Sequence, residues 1–227
     1  MGKWTAERWA AASGIGFVVL LLVGNLIPGS PKKYDASAAT IVSWLHDKHK
    51  SLLVAAVLFG LAYIFFLWFL ASFAGLFREA GERRLSTVIY GGGVALITIG
   101  AITDGVMVTL ARVVSLGADD TTVKTLYDVD TFLYNRIYWF AAAVALAVFI
   151  AVWRTKVLAE WFGWLSALGA VVFVIGGVSM KSSGFFSPTG GMPFIAFLVF
   201  LIWVLVASLL LVQQTGEATM PVAATSM

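Results

Sequence analysis

The sequence contains no cysteine and only two histidines among its 227 residues. Disulfide bonds, thiol catalysis and thiolate metal sites are therefore excluded. The two histidines, His46 and His49, lie together in one predicted loop, so no pair of imidazoles is available to hold a haem between membrane-spanning helices. Composition alone thus removes cysteine-based and bis-histidine haem chemistry, and we predict no cofactor.

Charged residues are also scarce. They make up 12% of the chain, against about a quarter in soluble domains. Hydrophobic residues reach 60% and the mean hydropathy is +0.94, which is more apolar surface than a soluble chain of this length can bury. The sequence predicts a multi-pass membrane protein whose main partner is the lipid bilayer. The net charge of +3 is typical of basic membrane loops and does not indicate a nucleic-acid partner.

Six segments are long and apolar enough to cross a bilayer, which requires roughly 20 residues. They are Trp9–Pro28, Leu52–Phe77, Ser86–Leu110, Phe132–Trp153, Val157–Met180 and Pro193–Val212. The first follows Lys3 and Arg8 but lacks a small-residue cleavage motif, so we interpret it as a retained signal-anchor helix. We predict an all-α bundle forming one domain over residues 1–212. A flexible cytoplasmic tail is predicted for residues 213–227.

An even number of spans places both termini on one side of the membrane. Lysines and arginines number seven on that side and eight on the other, so their totals do not decide the orientation. The seven, however, are packed into very short connections, where the positive-inside bias is strongest. We therefore predict cytoplasmic termini in a bacterial plasma membrane.

The connections on the other side contain two recognisable features. From Ser37 to Lys48 apolar residues recur at helical spacing, which predicts a short amphipathic outer helix capped by Ser37 or Asp35. This helix is expected to lie on the membrane surface or over the mouth of the bundle. The connection over Val113–Thr131 is acidic and polar and is expected to be a loop.

Asp104 interrupts the third apolar segment, and a carboxylate at membrane depth is costly unless it has a role or a partner. At helical spacing it shares a face with Gly93, Ile97, Gly100 and Ala111. Small residues on that face allow another helix to approach closely. We therefore expect Asp104 to face the interior of the bundle, about two turns from the outer end of its helix.

Other polar residues are predicted at a similar depth, because the parity of the spans brings the ends of their helices to the same face. The predicted site residues are Asp104, Arg136, Asn25, Asn135, Tyr138 and Lys181. Together they indicate an outward-facing polar pocket that could bind a ligand, with Asp104 near its floor. An ion pair between Asp104 and Arg136 would make both charges tolerable, and such a pair is also known as a purely structural device for packing and register.

His46, Asp47 and His49 form the one cluster with metal-ligand character. On a helix the two histidines share a face, so both imidazoles can reach one metal ion. The alternative is a solvated helix end, and we predict no metal site. A serine hydrolase is not indicated, because no serine lies in a nucleophile-elbow motif.

The order of short motifs resembles a group of uncharacterised six-helix integral membrane proteins of actinobacteria, filed as a domain of unknown function. The motifs are Leu26–Ile27–Pro28, Phe66–Leu67–Trp68–Phe69–Leu70, Phe77–Arg78, Gly91–Gly92–Gly93, Trp153–Arg154, Trp161–Phe162–Gly163–Trp164–Leu165, Trp203–Val204–Leu205 and Ala207–Ser208. The resemblance spans nearly the whole chain. It implies the fold and a bacterial plasma-membrane location, and it transfers no activity, cofactor or site residue.

Three functional hypotheses follow. The first is a non-enzymatic membrane protein whose polar pocket binds a small molecule or lipid, in a transporter-like or accessory role. The second is a structural or partner subunit of a larger membrane complex or a homo-oligomer, in which Asp104 contacts another chain. The third is a membrane enzyme that uses Asp104 as a general base or a metal at His46 and His49.

Overall fold

The computed structural model describes residues 6–217, and within that range it is helical without strands. Its six helices are α1 (Ala6–Leu26), α2 (Ala38–Glu79), α3 (Arg83–Ser115), α4 (Asp120–Thr155), α5 (Glu160–Gly177) and α6 (Gly191–Glu217). All six are long and apolar enough to cross a membrane. The predicted all-α, six-span architecture is confirmed.

Large apolar side chains on the outside of the bundle are consistent with contact with lipid. In every span, at most half of the most apolar stretch is buried inside the protein. On α2, for example, Val57 is 65% exposed and Trp68 is 64% exposed. Exposed apolar surface of this extent is unusual for a soluble protein and marks a surface that contacts lipid or another protein.

The helices form a closed ring in chain order. Each helix packs against the next, α6 returns to α1, and α2 reaches across the centre to α4 and α6. Aromatic rings fill the middle of the ring: Phe73 lies 5.3 Å from Phe69 and 5.7 Å from Trp203 between centroids, and Phe200 lies 6.2 Å from Phe173. The void among these side chains is about 10 Å³, room for at most a single water molecule.

Close contacts and buried hydrogen bonds join the neighbouring helices. Gly14 of α1 has no side chain to separate it from α6, and Ser208 donates a hydrogen bond of 2.5 Å to the Ala11 carbonyl. Trp203 likewise donates to the Ser166 hydroxyl on α5 at 2.9 Å. Small residues and interhelical hydrogen bonds of this kind drive helix association where lipid removes the hydrophobic effect.

The two ends of the bundle differ in construction. We name the end bearing the connections 27–37, 116–119 and 178–190 the cap end, and the end bearing the connections 80–82 and 156–159 the turn end. At the cap end the Tyr34 amide donates to Thr189 Oγ1 at 2.8 Å, which joins the first and third connections. At the turn end Arg154 pairs with Glu82, and the Gln214 side chain donates to the Val157 carbonyl.

Three neighbouring helices extend past the membrane at the cap end. α2 has 42 residues, α3 has 33 and α4 has 36, so at 1.5 Å per residue they are about 50–60 Å long, against a hydrocarbon layer of about 30 Å. Their projecting ends bury a second hydrophobic core, separate from that of the ring. This cap core consists of Ile41, Trp44, Leu45, Leu52, Leu110, Ala111, Val123 and Tyr127.

Two predictions at the cap end were wrong in detail. The outer amphipathic helix is not a separate surface helix: Ser37 caps it as predicted, accepting from the Thr40 amide, and the helix then continues into the second span. The expected loop over Val113–Thr131 is mostly helical, because its apolar residues pack into the cap core. Only residues 116–119 connect α3 to α4.

The start of α4 is fixed by Asp119. Its carboxylate accepts from the Thr122 amide at 3.0 Å and from the Thr122 hydroxyl at 2.6 Å, which satisfies a donor at the helix N-terminus. The same hydrogen bonds lower the pKa of the Asp119 carboxyl below its usual value. The acidic residues of this region thus include a helix cap.

The remaining helix ends differ only slightly from the predicted spans. α5 ends at Gly177, three residues before the predicted end at Met180. α6 continues to Glu217, so the first five residues of the predicted flexible tail are helical. The rest of that tail, residues 218–227, lies outside the described residues, as do residues 1–5.

Candidate functional site

Asp104 of α3 is held by Tyr63 of α2. The Tyr63 hydroxyl donates to Asp104 Oδ2 at 2.5 Å. The two side chains meet because Cα–Cβ bonds tilt toward the N-terminus of a helix, which directs Tyr63 toward the cap end and Asp104 away from it. Gly100 provides the space, since a Cβ there would lie 2.9 Å from the Tyr63 hydroxyl.

Asp104 lies at the boundary between the ring core and the cap core. It is about 30 Å along α3 from Arg84, which is one full thickness of the hydrocarbon layer. The helix then continues for about another 16 Å to Ser115, so Asp104 is three turns from the end of α3, rather than the predicted two. Leu96 and Ile97 below it belong to the ring core, and Leu110 above it belongs to the cap core.

A second carboxyl group, that of Asp130 on α4, lies near enough to Asp104 for the two to interact electrostatically. Asp130 is only 8% exposed, and its Oδ1 atom is buried without a hydrogen-bond partner among the described residues. Its charge and that of Asp104 repel each other, and Tyr134 interacts electrostatically with both. We name Tyr63, Asp104, Asp130 and Tyr134 the polar layer.

The predicted ion pair between Asp104 and Arg136 does not form. Arg136 instead directs its guanidinium at the Phe132 carbonyl (3.4 Å) and the Met180 sulfur (3.7 Å), next to the connection between α5 and α6. The prediction failed because Arg136 lies on a different face of α4 from Asp130 and Tyr134, and the hydroxyl of Tyr63 is the group that donates to Asp104. Among the described residues, neither Asp104 nor Asp130 has a basic partner in an ion pair.

Two further predicted residues are buried, but they hold helices together elsewhere. Asn135 is fully buried and donates to the Ser179 carbonyl at 3.2 Å, while its own carbonyl oxygen has no partner among the described residues. Tyr138 is 3% exposed and donates to the Pro193 carbonyl at 2.7 Å. The first bond ties α4 to the connection 178–190, and the second ties α4 to the first turn of α6.

Asn25 and Lys181 are exposed and do not join the polar layer. The Asn25 amide donates back to the Leu21 carbonyl of its own helix at 2.8 Å. The Lys181 ammonium lies 5.8 Å from the centre of the Phe186 ring. The shared depth of these residues was therefore insufficient to place them together, because depth does not specify which face of a helix a side chain occupies.

The connection 27–37 lies against the cap-end portion of α4 and is fastened there. Tyr127 donates to the Lys32 carbonyl at 2.6 Å, and Lys124 donates to the Tyr34 carbonyl at 3.1 Å. The Lys124 ammonium also pairs with Asp128 and lies 4.7 Å from the centre of the Tyr34 ring. The Lys124 ammonium is thus bound to Asp128 and Tyr34, on the cap side of the polar layer.

Tyr63 and Asp130 were missed by the sequence analysis. Tyr63 lies in an aromatic run in which nothing distinguishes it from the lipid-facing rings beside it. Asp130 was assigned to an acidic loop, whereas α4 begins ten residues before it. One signal was available: Asp130, Tyr134 and Tyr138 recur at steps of four, which places three polar side chains on one helical face.

His46 and His49 lie on the cap-end portion of α2. The His46 imidazole is 3.9 Å from the Asp47 carboxylate, and both side chains are well exposed. Within the described part of the chain, no group of three or more histidines and carboxylates is arranged to hold a metal ion. The geometry thus offers these histidines no third protein ligand.

Comparisons with known proteins found no family model, no curated protein and no solved structure that matches this chain.

Proposed function

We propose that the polar layer is a binding site for a small, positively charged ligand or ion, in a multi-pass protein with a transporter-like or accessory role. The observation that supports this most is the buried Oδ1 atom of Asp130, which has no hydrogen-bond partner among residues 6–217 and belongs to a carboxyl that interacts electrostatically with Asp104. A buried carboxylate oxygen without a partner carries a desolvation cost that a bound cation would remove.

The arrangement of the site supports a ligand over a purely structural pair. In a structural pair two opposite charges satisfy each other, whereas Asp104 and Asp130 are both acids and cannot neutralise each other. The hydroxyl of Tyr63 satisfies one oxygen of Asp104 and leaves the negative charge uncompensated. A cation held between the two carboxylates is the simplest complement to this geometry.

The closed centre of the ring bears on the transporter-like role. Apolar side chains fill the middle of the bundle, so a ligand in the polar layer is separated from the turn end. Passage across the membrane therefore requires helices to move apart. An accessory role, in which the ligand only stabilises the cap, requires no such movement.

We also propose a bacterial plasma membrane with both termini in the cytoplasm. The turn end carries Arg78, Arg83, Arg84, Arg154 and Lys156 on or beside its two short connections, in agreement with the positive-inside rule. The resemblance to the actinobacterial six-helix group supports the same location. The cap end is then outward-facing, so the ligand would enter from outside the cell.

Thermal unfolding of the purified full-length protein in detergent tests the binding site. Sodium, potassium, magnesium and ethanolammonium chlorides would be compared with the bulky cation N-methyl-D-glucamine at constant ionic strength. We expect at least one to raise the midpoint, by about 2–4 °C per kcal/mol of binding free energy. Asp130→Asn is expected to abolish this rise.

The matched control is Asp120→Asn, which removes an exposed carboxylate from the first turn of the same helix. It is expected to keep the rise of the wild type. The proposal is wrong if no cation has a specific effect, or if the effect is the same in Asp130→Asn as in the wild type.

The second hypothesis, a subunit of a larger complex, is favoured by the outer face of α3. Gly91, Thr98 and Gly105 are exposed at intervals of seven residues, and a Cβ at either glycine would meet no other atom. Small residues that face outward allow a helix of another chain to pack closely. Co-purification of a second chain that is lost in Gly91→Ile would support this hypothesis.

A further inference from the structure

A groove between α4 and α5 at the turn end is independent of the polar layer. Its lining residues are Phe149, Ile150, Trp153, Arg154 and Trp164, and its volume is about 260 Å³. All but one of these side chains are apolar. The exception, Arg154, lies in the last turn of α4, beside the connection 156–159.

Three aromatic rings form one continuous surface of the groove. The centroids of Phe149, Trp153 and Trp164 are 5.4–6.3 Å from one another. Trp153 is 49% exposed and Trp164 is 57% exposed, on helices that span the membrane. The surface therefore faces the bilayer at the level of the interface, where tryptophan rings are favoured.

Arg154 is positioned by Glu82, with its terminal nitrogens left available. Its Nε lies 2.9 Å from Glu82 Oε1, and the Glu82 side chain is only 17% exposed. The guanidinium carries two further amino groups, and because the Arg154 side chain is 61% exposed, they can reach an acceptor on a ligand. A guanidinium held through Nε presents the fork of donors that binds a phosphate through two hydrogen bonds.

The surroundings of the groove carry an excess of positive charge. The two turn-end connections and the residues next to them carry five basic residues, Arg78, Arg83, Arg84, Arg154 and Lys156, against three acidic residues, Glu79, Glu82 and Glu160. Lys156 pairs with Glu160 and lies 4.6 Å from the centre of the Trp153 ring, at the edge of the groove. A net positive region at the interface attracts anionic headgroups.

We infer that this groove binds one anionic phospholipid. The lipid phosphate accepts from the two terminal amino groups of Arg154, and an acyl chain lies against Phe149, Ile150 and Trp164. The apolar groove distinguishes this site from one for free phosphate, because the acyl chain of a lipid covers the apolar surface of the groove and free phosphate does not. The excess of positive charge favours an anionic headgroup over a zwitterionic one.

Native mass spectrometry and thermal unfolding of the full-length protein test the inference. Phosphatidylglycerol and phosphatidylcholine with identical acyl chains would be added to the delipidated protein, and inorganic phosphate would be added separately. We expect one tightly bound phosphatidylglycerol and a higher unfolding midpoint with this lipid than with phosphatidylcholine. Inorganic phosphate alone is expected to leave the midpoint unchanged.

Three variants locate the site. Arg154→Gln is expected to weaken phosphatidylglycerol binding about tenfold or more, as for the loss of hydrogen bonds to a charged group. Arg154→Lys keeps the charge but not the fork, so its loss is expected to be smaller. Arg112→Gln, which removes an exposed arginine at the cap end, is expected to bind as the wild type does.

Three results would overturn the inference. The first is equal binding of the two lipids by the wild type, and the second is an undiminished preference for phosphatidylglycerol in Arg154→Gln. The third is a stabilisation by inorganic phosphate as large as that by the lipid. If Arg154→Gln does not fold, Arg154→Lys decides, because loss of the fork of donors is expected to weaken phosphatidylglycerol binding while the charge is retained.

Discussion

The cap end and the turn end of this bundle handle charge in opposite ways. At the turn end the connections have three or four residues, and their charges pair with oppositely charged neighbours, as the exposed Arg154 does with the largely buried Glu82 and Lys156 does with Glu160. Below the cap, Asp104 and Asp130 are largely shielded from solvent and have no basic partner among the described residues.

This difference follows from helix length. Where helices end at the interface, charged side chains reach water or pair with a neighbour, so they carry little desolvation cost. Where α2, α3 and α4 continue together, the cap core closes over residues that would otherwise be solvated, and Asp130 is buried as a result. The cap thus creates the polar layer by excluding water from it. The difference between the two ends indicates that the parts of α2, α3 and α4 outside the membrane determine where the site lies.

The largest expected effect comes from damaging the cap core. Leu45 is fully buried there, so Leu45→Ala is expected to lower the free energy of unfolding of the cap by about 2–5 kcal/mol. Limited proteolysis is expected to cut within residues 38–50 of the variant before it cuts the ring. Leu53→Ala, at a 39% exposed position of the same helix, is the control and is expected to change little.

If Leu45→Ala and Leu53→Ala prove equally stable, the cap core does not stabilise the cap end. The explanation of the buried carboxyl groups by the cap would then be wrong. Denaturation by SDS, followed by tryptophan fluorescence, measures both variants under the same conditions.

The next effect compares one polar contact at each end. Tyr63→Phe removes the hydrogen bond to Asp104 and is expected to cost about 1.5–3 kcal/mol, since the acceptor is charged and largely shielded. Glu82→Gln weakens the pair with Arg154, which is 61% exposed, and is expected to cost at most about 1 kcal/mol. SDS denaturation of both variants measures the two losses in free energy of unfolding. Equal losses would contradict the assignment of the polar layer to a shielded environment.

The smallest effect concerns the space beside Asp104. Gly100→Ala places a Cβ 2.9 Å from the Tyr63 hydroxyl and displaces it, at an expected cost of about 1 kcal/mol after the gain in helix propensity. Gly105→Ala, on the same helix with open space around it, gains the propensity without the clash and is the matched control. A Gly100→Ala variant at least as stable as Gly105→Ala would show that Tyr63 and Asp104 do not depend on this close approach.

The sequence was sufficient to predict the ring, but insufficient for the cap. Six apolar segments of the required length have few alternatives in a bilayer, and the confirmed stripe of Gly93 and Gly100 follows from helical periodicity alone. The projecting part of α4 was missed, because the helical spacing of Val123, Leu126 and Tyr127 is a short signal set among acidic residues. Their burial depends on contacts with α2 and α3 that are distant in sequence.

The site was predictable only in part, because the sequence identifies a buried charge but not the side chains from other helices that meet it. Asp104 stands out because a single charge interrupts an apolar segment. Its partner does not stand out: a tyrosine and an arginine are equally plausible partners for a carboxylate, and only the rotation of α2 and α4 about their axes decides between them. Arg136 points to the connection between α5 and α6 because its helical face differs from that of Asp130 and Tyr134.

Helix α2 also has a mechanical consequence. It runs without a break from the cap to the turn end, and residues 38–59 contain neither proline nor glycine, the usual places where a helix bends. The arm from Ala38 to Phe59 is therefore a stiff rod about 33 Å long, and it ends at Gly60, one turn before Tyr63. We expect a contact with this arm outside the membrane to reach the carboxylates through the short segment between Gly60 and Tyr63.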